Sequence, residues 1–208
     1  MYTDKIFKAL NEYDATVTAV TEQWRSTKKQ LNADFGGVGR IFDEKYAAGK
    51  ALYEAALAEA QNKGIAIANE EFAKLHETVR AFISVPVPND FISTLEAIKA
   101  TGKDITEAEA GIYLDKYKTN YTACRSLSQN LQELTGKKYF VIVYDAVKED
   151  IEEVASYVRR IFTNTMSGYI KALFISEQHS PLLKLDAALT DFMTKDVRSY
   201  VPDDETQG

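Results

Sequence analysis

The chain has 208 residues, 45% of them hydrophobic and 27% charged, enough to bury a sizeable core in one large domain or two small ones. Its net charge of −6 argues against a general nucleic-acid binder, which needs a cationic face to displace counterions from phosphates, and a single Cys removes any disulfide framework within the chain. Only 10 Gly and 4 Pro are present, as expected of a helical protein, and no apolar run approaches the roughly 18 residues that a membrane span requires.

In chain order, the first predicted helix covers Thr3 to about Asn32, and the rest is organised around it. Ile6, Leu10, Tyr13, Val17, Val20, Trp24, Thr27 and Leu31 alternate at spacings of four and three, an unbroken heptad seam that faces a partner helix. Gly36-Gly37-Val38-Gly39 ends it, with Gly36 suited to the left-handed position after a helix C-terminus. A second long helix follows, from about Ile41 to Ser84. Its Ala-rich first half carries Phe42, Tyr46, Tyr53 and Leu57. Its second half has a separate seam of Ile65, Ala68, Phe72, Leu75, Val79 and Phe82. The two stripes are out of phase around Asn62-Lys63-Gly64, which predicts a kink, a break or a change of packing partner there. A short connection makes the two helices antiparallel neighbours.

Pro86 and Pro88 force an extended stretch. Asn89 or Asp90 then caps a short helix, Phe91 to Ala100, with Ile92, Leu95 and Ile98 or Ala97 inward. Thr106-x-x-Glu109 is a capping box opening one helix to about Leu134, with Ala110, Tyr113, Tyr117, Asn120, Cys124, Leu127, Leu131 and Leu134 as its seam. Residues 138–144 favour a strand by propensity. A single helical register through Phe140, Tyr144, Val147, Ile151, Val154, Val158 and Ile161 nevertheless places them in a helix from Lys138 to Thr163. Met166 to Ser176 continues as helix, and Ser180-Pro181 opens a last one. The fold class is therefore all-α: a long N-terminal antiparallel helical hairpin over 1–84, a bundle of shorter helices over 89–200, and an acidic tail over 201–208.

Chemistry is sparse along the chain. The Gly36–Arg40 loop follows no strand and lacks the Lys-Ser/Thr of a phosphate loop, so it reads as a helix-to-helix turn. Ala73 and Ser176 stand three residues before the two histidines, where a di-iron bundle needs Glu. His76-Glu77-Thr78-Val79-Arg80 lacks the second His of a zinc protease, and one Cys with two His supplies no structural zinc site. Cys124 lies on an apolar seam and reads as a small core residue rather than a nucleophile. Arg25, Lys28 and Lys29 suit the dipole at a helix C-terminus. Asp145, Glu149, Asp150, Glu152 and Glu153 read as a solvated helix side. No catalytic residue, cofactor or metal is expected, and the chain is not expected to be an enzyme.

Two functional classes follow. The first is a non-enzymatic assembly or interaction protein, acting through helical seams as a homo-oligomer or as an accessory subunit of a bacterial or phage particle. Trp24 and the i, i+4, i+8 set Tyr113, Tyr117 and Tyr121 are its candidate partner-binding residues, because Trp and Tyr are rich in binding hot spots. The second is an acidic inhibitor that covers the basic groove of a nucleic-acid-handling enzyme such as a CRISPR nuclease. A membrane-bending dimer needs a cationic face that this acidic chain does not provide, so neither membrane nor direct nucleic-acid binding is expected. Met1 to Lys5 lack the features of a signal peptide, and a reducing cytoplasmic setting is the simplest reading.

Overall fold

A computed structural model describes residues 2–139, 144–163 and 180–199. Among these the fold is all-α, with seven α-helices and no strand. The helices are α1 (Asp4–Phe35), α2 (Arg40–Ile83), α3 (Phe91–Thr101), α4 (Glu107–Lys116), α5 (Tyr121–Thr135), α6 (Tyr144–Phe162) and α7 (Pro181–Thr194). Contacts group the chain into two compact units, 1–73 with 153–183 and 74–152 with 184–208.

In the first unit, α1 and α2 pack as an antiparallel hairpin. Lys5 meets Glu71 at 3.3 Å and Lys63 meets Glu12 at 3.5 Å. Farther along, Trp24 lies against Tyr46 and Tyr53. The heptad seam is the inner face of α1: Ile6, Leu10, Tyr13, Val17, Trp24 and Leu31 are buried, and Val20 and Thr27, beside the groove described below, are half-buried. The turn between the helices uses glycine at three positive-φ positions, Gly36, Gly37 and Gly39, where a Cβ would be strained.

Helix α2 runs unbroken through Asn62-Lys63-Gly64. What changes there is the packing partner. Phe162, near the end of α6, seats its ring directly on the Gly64 backbone and meets Tyr13 edge-on at 5.2 Å. Arg159 donates to Asn69 at 2.8 Å, and the Gln61 amide donates to the Thr163 carbonyl at 3.4 Å. The shift of phase between the two stripes is thus a change from a two-helix to a three-helix environment.

In the second unit, Leu75 and Val79 of α2 share a core with α3, α4, α5, the start of α6 and α7. Leu127, Leu131, Val147, Ile151, Leu189 and Phe192 are fully excluded from solvent. The helix expected from Thr106 to Leu134 is two helices. The capping box opens α4 as expected, Thr106 N–H donating to Glu109 at 2.8 Å. The chain then turns at Tyr117, and Asn120 becomes the N-cap of α5, accepting from the Ala123 N–H at 2.9 Å. Its amide donates to the Pro86 carbonyl, also at 2.9 Å. Asn120 has the spacing of a seam residue, but its side chain competes with the helix for backbone partners, and that competition decides the break.

Helix α3 is rotated from the expected register. Phe91, Thr94 and Ile98 face inward, and Ile92 is 57% exposed. Thr94 is drawn in because its hydroxyl accepts a hydrogen bond from the Tyr117 hydroxyl at 2.8 Å. Asp90 stands at the N-cap without making a side-chain cap bond. Its carboxylate instead accepts from Lys116 at 2.6 Å, which holds it below the usual carboxylate range. The helix expected from Lys138 begins, among the described residues, at Tyr144; Lys138 and Tyr139 are not helical. Phe140 to Val143, the continuation expected over Met166 to Ser176, His179 and the acidic tail lie outside the described residues.

The chain after α7 is tied back to α4 and to the turn that follows it. Val197 N–H donates to the Lys118 carbonyl at 2.8 Å, and the Arg198 guanidinium bridges Asp196 and Asp115. Burial raises the Asp196 carboxyl, but the hydrogen bonds from the Arg198 side chain and backbone outweigh it and hold the group below its ordinary value. A lowered carboxyl stabilises the fold above its unfolded pKa and loses that contribution as pH falls through the folded value. Asp196→Asn is therefore expected to cost about 1–2 kcal/mol at neutral pH. The gap from wild type should close in acid, once the native carboxyl is protonated. Urea unfolding followed by circular dichroism at pH 7 and at steps from about pH 4 to pH 2 checks this: the gap should narrow below the ordinary Asp value of roughly 3.9 and close only below the lowered folded value.

Candidate interaction surface on the helical hairpin

The seam loosens toward the Gly36–Gly39 turn. Phe35, Phe42, Tyr46 and Tyr53 are only half-buried. Val38 and Ile41 at the turn are 77% and 57% exposed, and Leu52, next to Tyr53 and one turn of helix before Ala56, is 74% exposed. Single exposed apolar side chains are ordinary on a protein surface. Val38 and Ile41 stand together at the turn, and Leu52, roughly 16 Å farther along α2 at 1.5 Å per residue, edges a groove.

The groove runs between the two helices and has a volume of about 150 Å³. Val20, Gln23, Trp24 and Thr27 of α1 form one wall; Gly49, Leu52, Tyr53 and Ala56 of α2 form the other. The small residues on α2 are what open it. A Cβ at Gly49 would stand 2.9 Å from Trp24 Cζ3, so Gly there lets the indole lie close against α2. The ring is held by Tyr46 at 5.1 Å, by stacking on Tyr53 at 6.0 Å, and by the Lys28 ammonium 5.4 Å from its centroid. Aromatic pairs and cations over a ring each add a modest stabilisation beyond area burial.

None of the groove residues is charged. Charge stands close by, however: Lys28 lies over the Trp24 ring, and other charges are matched locally, Arg40 with Glu44 at 2.8 Å and Lys50 with Glu54 at 3.5 Å, both one helical turn apart. At the other end of the same flank, Lys63 reaches across to Glu12, beside a much smaller depression at Ala60 and Gly64.

The tyrosines singled out in the sequence belong to the second unit, and the helix break separates them. Tyr113 is in α4, Tyr117 ends it and Tyr121 begins α5. Tyr113 is half-exposed, whereas Tyr117 and Tyr121 are buried. The Tyr117 hydroxyl is engaged with Thr94. That of Tyr121 accepts from Arg125 at 3.0 Å and from the Tyr144 N–H at 2.9 Å. Those two rings therefore act as core members with their polar tips satisfied. Trp24 alone of the four lines an open groove. Leu52 and Gly49, its counterparts on α2, were not picked out from sequence; a large apolar residue out of phase with the Phe42-Tyr46-Tyr53-Leu57 stripe was the available signal.

A polar cleft in the second unit, of about 180 Å³, is lined by His76, Glu77, Arg80, Tyr144, Lys148 and Glu152. His76 Nε2 lies 3.0 Å from a Glu152 oxygen. The lining balances two cationic against two anionic side chains and contains no Ser, Thr or Cys to act as a nucleophile. Cys124 is buried, and loss of hydration pushes its thiol up to about 11, the opposite of what a reactive thiolate needs. Among the described residues no group of three or more His, Cys, Asp and Glu could hold a metal ion, and no helix is long and apolar enough to cross a membrane. No protein-family model, curated protein or solved structure matches this chain.

Proposed function

We propose that this chain is a non-enzymatic α-helical interaction protein that docks a helical partner on the open flank of the α1–α2 hairpin. The observation that carries the reading is the uncharged groove beside Trp24, edged by a largely exposed Leu52. An apolar groove between two helices receives the apolar stripe of a third by the same ridge-and-groove packing that joins helices inside a domain. Trp and Tyr at its base supply rigid contact area at low entropic cost.

The test is co-expression of two differently tagged copies, capture through one tag, and identification of what is recovered by mass spectrometry. The expected result is stoichiometric recovery of a single species that survives high salt and is lost with Leu52→Glu. Apolar docking is insensitive to screening. Recovery that collapses in high salt and ignores Leu52→Glu would instead point to the acidic-inhibitor reading, in which negative charge covers a basic groove.

A further inference from the structure

We infer that Asp196 to Ser199 form a latch that swings away from the α4–α5 turn as one piece, the rest of its unit staying folded, and that this opening is what admits solvent to Cys124. All the residues involved belong to the second unit, so the latch is independent of the hairpin groove. Its four residues are bound to one another more closely than to what they cover. The Asp196 carboxylate accepts from the Arg198 N–H at 2.8 Å and from the Arg198 guanidinium at 2.6 Å. The Asp196 carbonyl accepts from the Ser199 N–H at 2.9 Å and from the Ser199 hydroxyl at 2.6 Å. These bonds close a turn that keeps its shape when it moves. Behind it, the N–H groups of Lys195 and Asp196 converge on the single Asp191 carbonyl, at 2.9 and 3.1 Å, and this shared acceptor at the end of α7 is the pivot. Toward the rest of the unit, two polar ties run among the described residues: the Val197 N–H to the Lys118 carbonyl, and the Arg198 guanidinium to Asp115. The second holds little, because the Asp115 side chain is 63% exposed and its charge is screened by water. The buried Val197 side chain adds an apolar hold. A segment with so few ties opens at a lower free energy than the core beneath it.

What the latch covers is the start of α5. Phe192 of α7 packs against Tyr121 at 5.9 Å, and one turn farther on Val197 is bonded at Lys118, so the chain runs back past the N-terminal end of α5. Cys124 stands on the first turn of that helix and has no exposed surface. Burial acts most strongly on its thiol, and the charges that reach it are those of Arg198, Asp196 and Asp115, two from the latch and one from its catch. The single thiol of the chain therefore lies beside the closed latch. While the latch is shut, the thiol is shielded and protonated. Opening hydrates it and lets the reactive thiolate form.

The experiment is the rate at which an aromatic disulfide reagent, dithiodipyridine, labels Cys124 in the folded full chain. The thiolate attacks the S–S bond of the reagent, a mixed disulfide forms, and the thiopyridone that leaves is read by its absorbance. The expected rate varies weakly with urea, because a swinging latch exposes little surface and urea sensitivity scales with the surface exposed. Arg198→Ala should raise the rate about tenfold, the worth of a hydrogen bond between charged groups. Asp115→Asn should raise it by a smaller factor, since that carboxylate is largely in water. Ile151→Val is the control: Ile151 is fully buried in α6 and takes no part in the latch, so this change should lower the urea midpoint and leave the labelling rate as it was. A rate that climbs with urea as steeply as global unfolding, and that Ile151→Val also raises, overturns the inference, since the thiol is then reached by unfolding of the whole unit. A rate that Arg198→Ala leaves unchanged overturns it too, since solvent then reaches Cys124 by another route.

Discussion

Gly64→Ala is expected to destabilise this protein by about 1–3 kcal/mol, the cost of overpacking a filled core. Ordinarily the sign is the reverse, since replacing Gly by Ala inside a helix gains roughly 1 kcal/mol. Here a Cβ at Gly64 would lie 2.9 Å from Phe162 Cγ and closer still to Cδ1 and Cε1. Phe162 is fully buried and also packs edge-on against Tyr13, so the ring has little room to move. Gly111 in α4 is the matched control: a Cβ there meets nothing within 4 Å, and Gly111→Ala should gain about 0.5–1 kcal/mol. Combining Gly64→Ala with Phe162→Leu should cost less than the sum of the single changes, because the two residues share one volume. Urea unfolding of the four variants measures all of this. Gly64→Ala at or above wild-type stability would show that α6 does not rest on α2 at this point.

The long-range character of that contact explains what could be read from the sequence. The α1 seam was legible because it is local: eight residues from Ile6 to Leu31 follow one heptad period; six of them are buried, and Val20 and Thr27 are half-buried. Gly64 was legible only as a weak point in α2, since nothing within the helix says that a ring 98 positions later will sit on it. The break between α4 and α5 was hidden for a different reason. Asn120 satisfies the heptad spacing, and only its choice of backbone partners, Ala123 N–H and the Pro86 carbonyl, makes it a cap. Once the helix breaks there, Tyr113, Tyr117 and Tyr121 no longer lie along one side of one helix, and the inferred ladder dissolves. Ile92 was misplaced because the inward stripe of α3 starts one residue earlier, at Phe91, and continues to Ile98, with Thr94 joining it through its hydrogen bond to Tyr117. In the groove, Trp24 was visible as a seam residue. Leu52 was not, since an isolated apolar residue off the stripe has no local meaning until the partner helix and its gap are known.

Trp24→Ala is expected to cost about 3 kcal/mol, the low end of the range for removing a buried aromatic ring. Trp24 is 9% exposed and is the point at which three aromatic side chains of the hairpin end converge. Removing it leaves Tyr53 without its stacking partner and Tyr46 without its 5.1 Å neighbour. The cost stays at the low end because the ring already borders an open groove of about 150 Å³, so the space left behind joins solvent instead of persisting as an empty cavity. Circular dichroism in urea is the appropriate measurement, since the variant has no Trp to follow. Trp24→Phe should recover roughly half of the loss, because the smaller ring can still pack on Tyr53 but fills less of the volume beside Gly49. The two variants also separate folding from docking. If the flank docks a helical partner, Trp24→Phe should retain most of the helicity and still weaken capture of that partner, because the indole lines the groove. A loss below about 1 kcal/mol for Trp24→Ala would mean that the aromatic cluster does not hold this end of the hairpin together. The α1–α2 pairing would then depend on the residues between Ile6 and Val17, where Phe162 of α6 closes the third side.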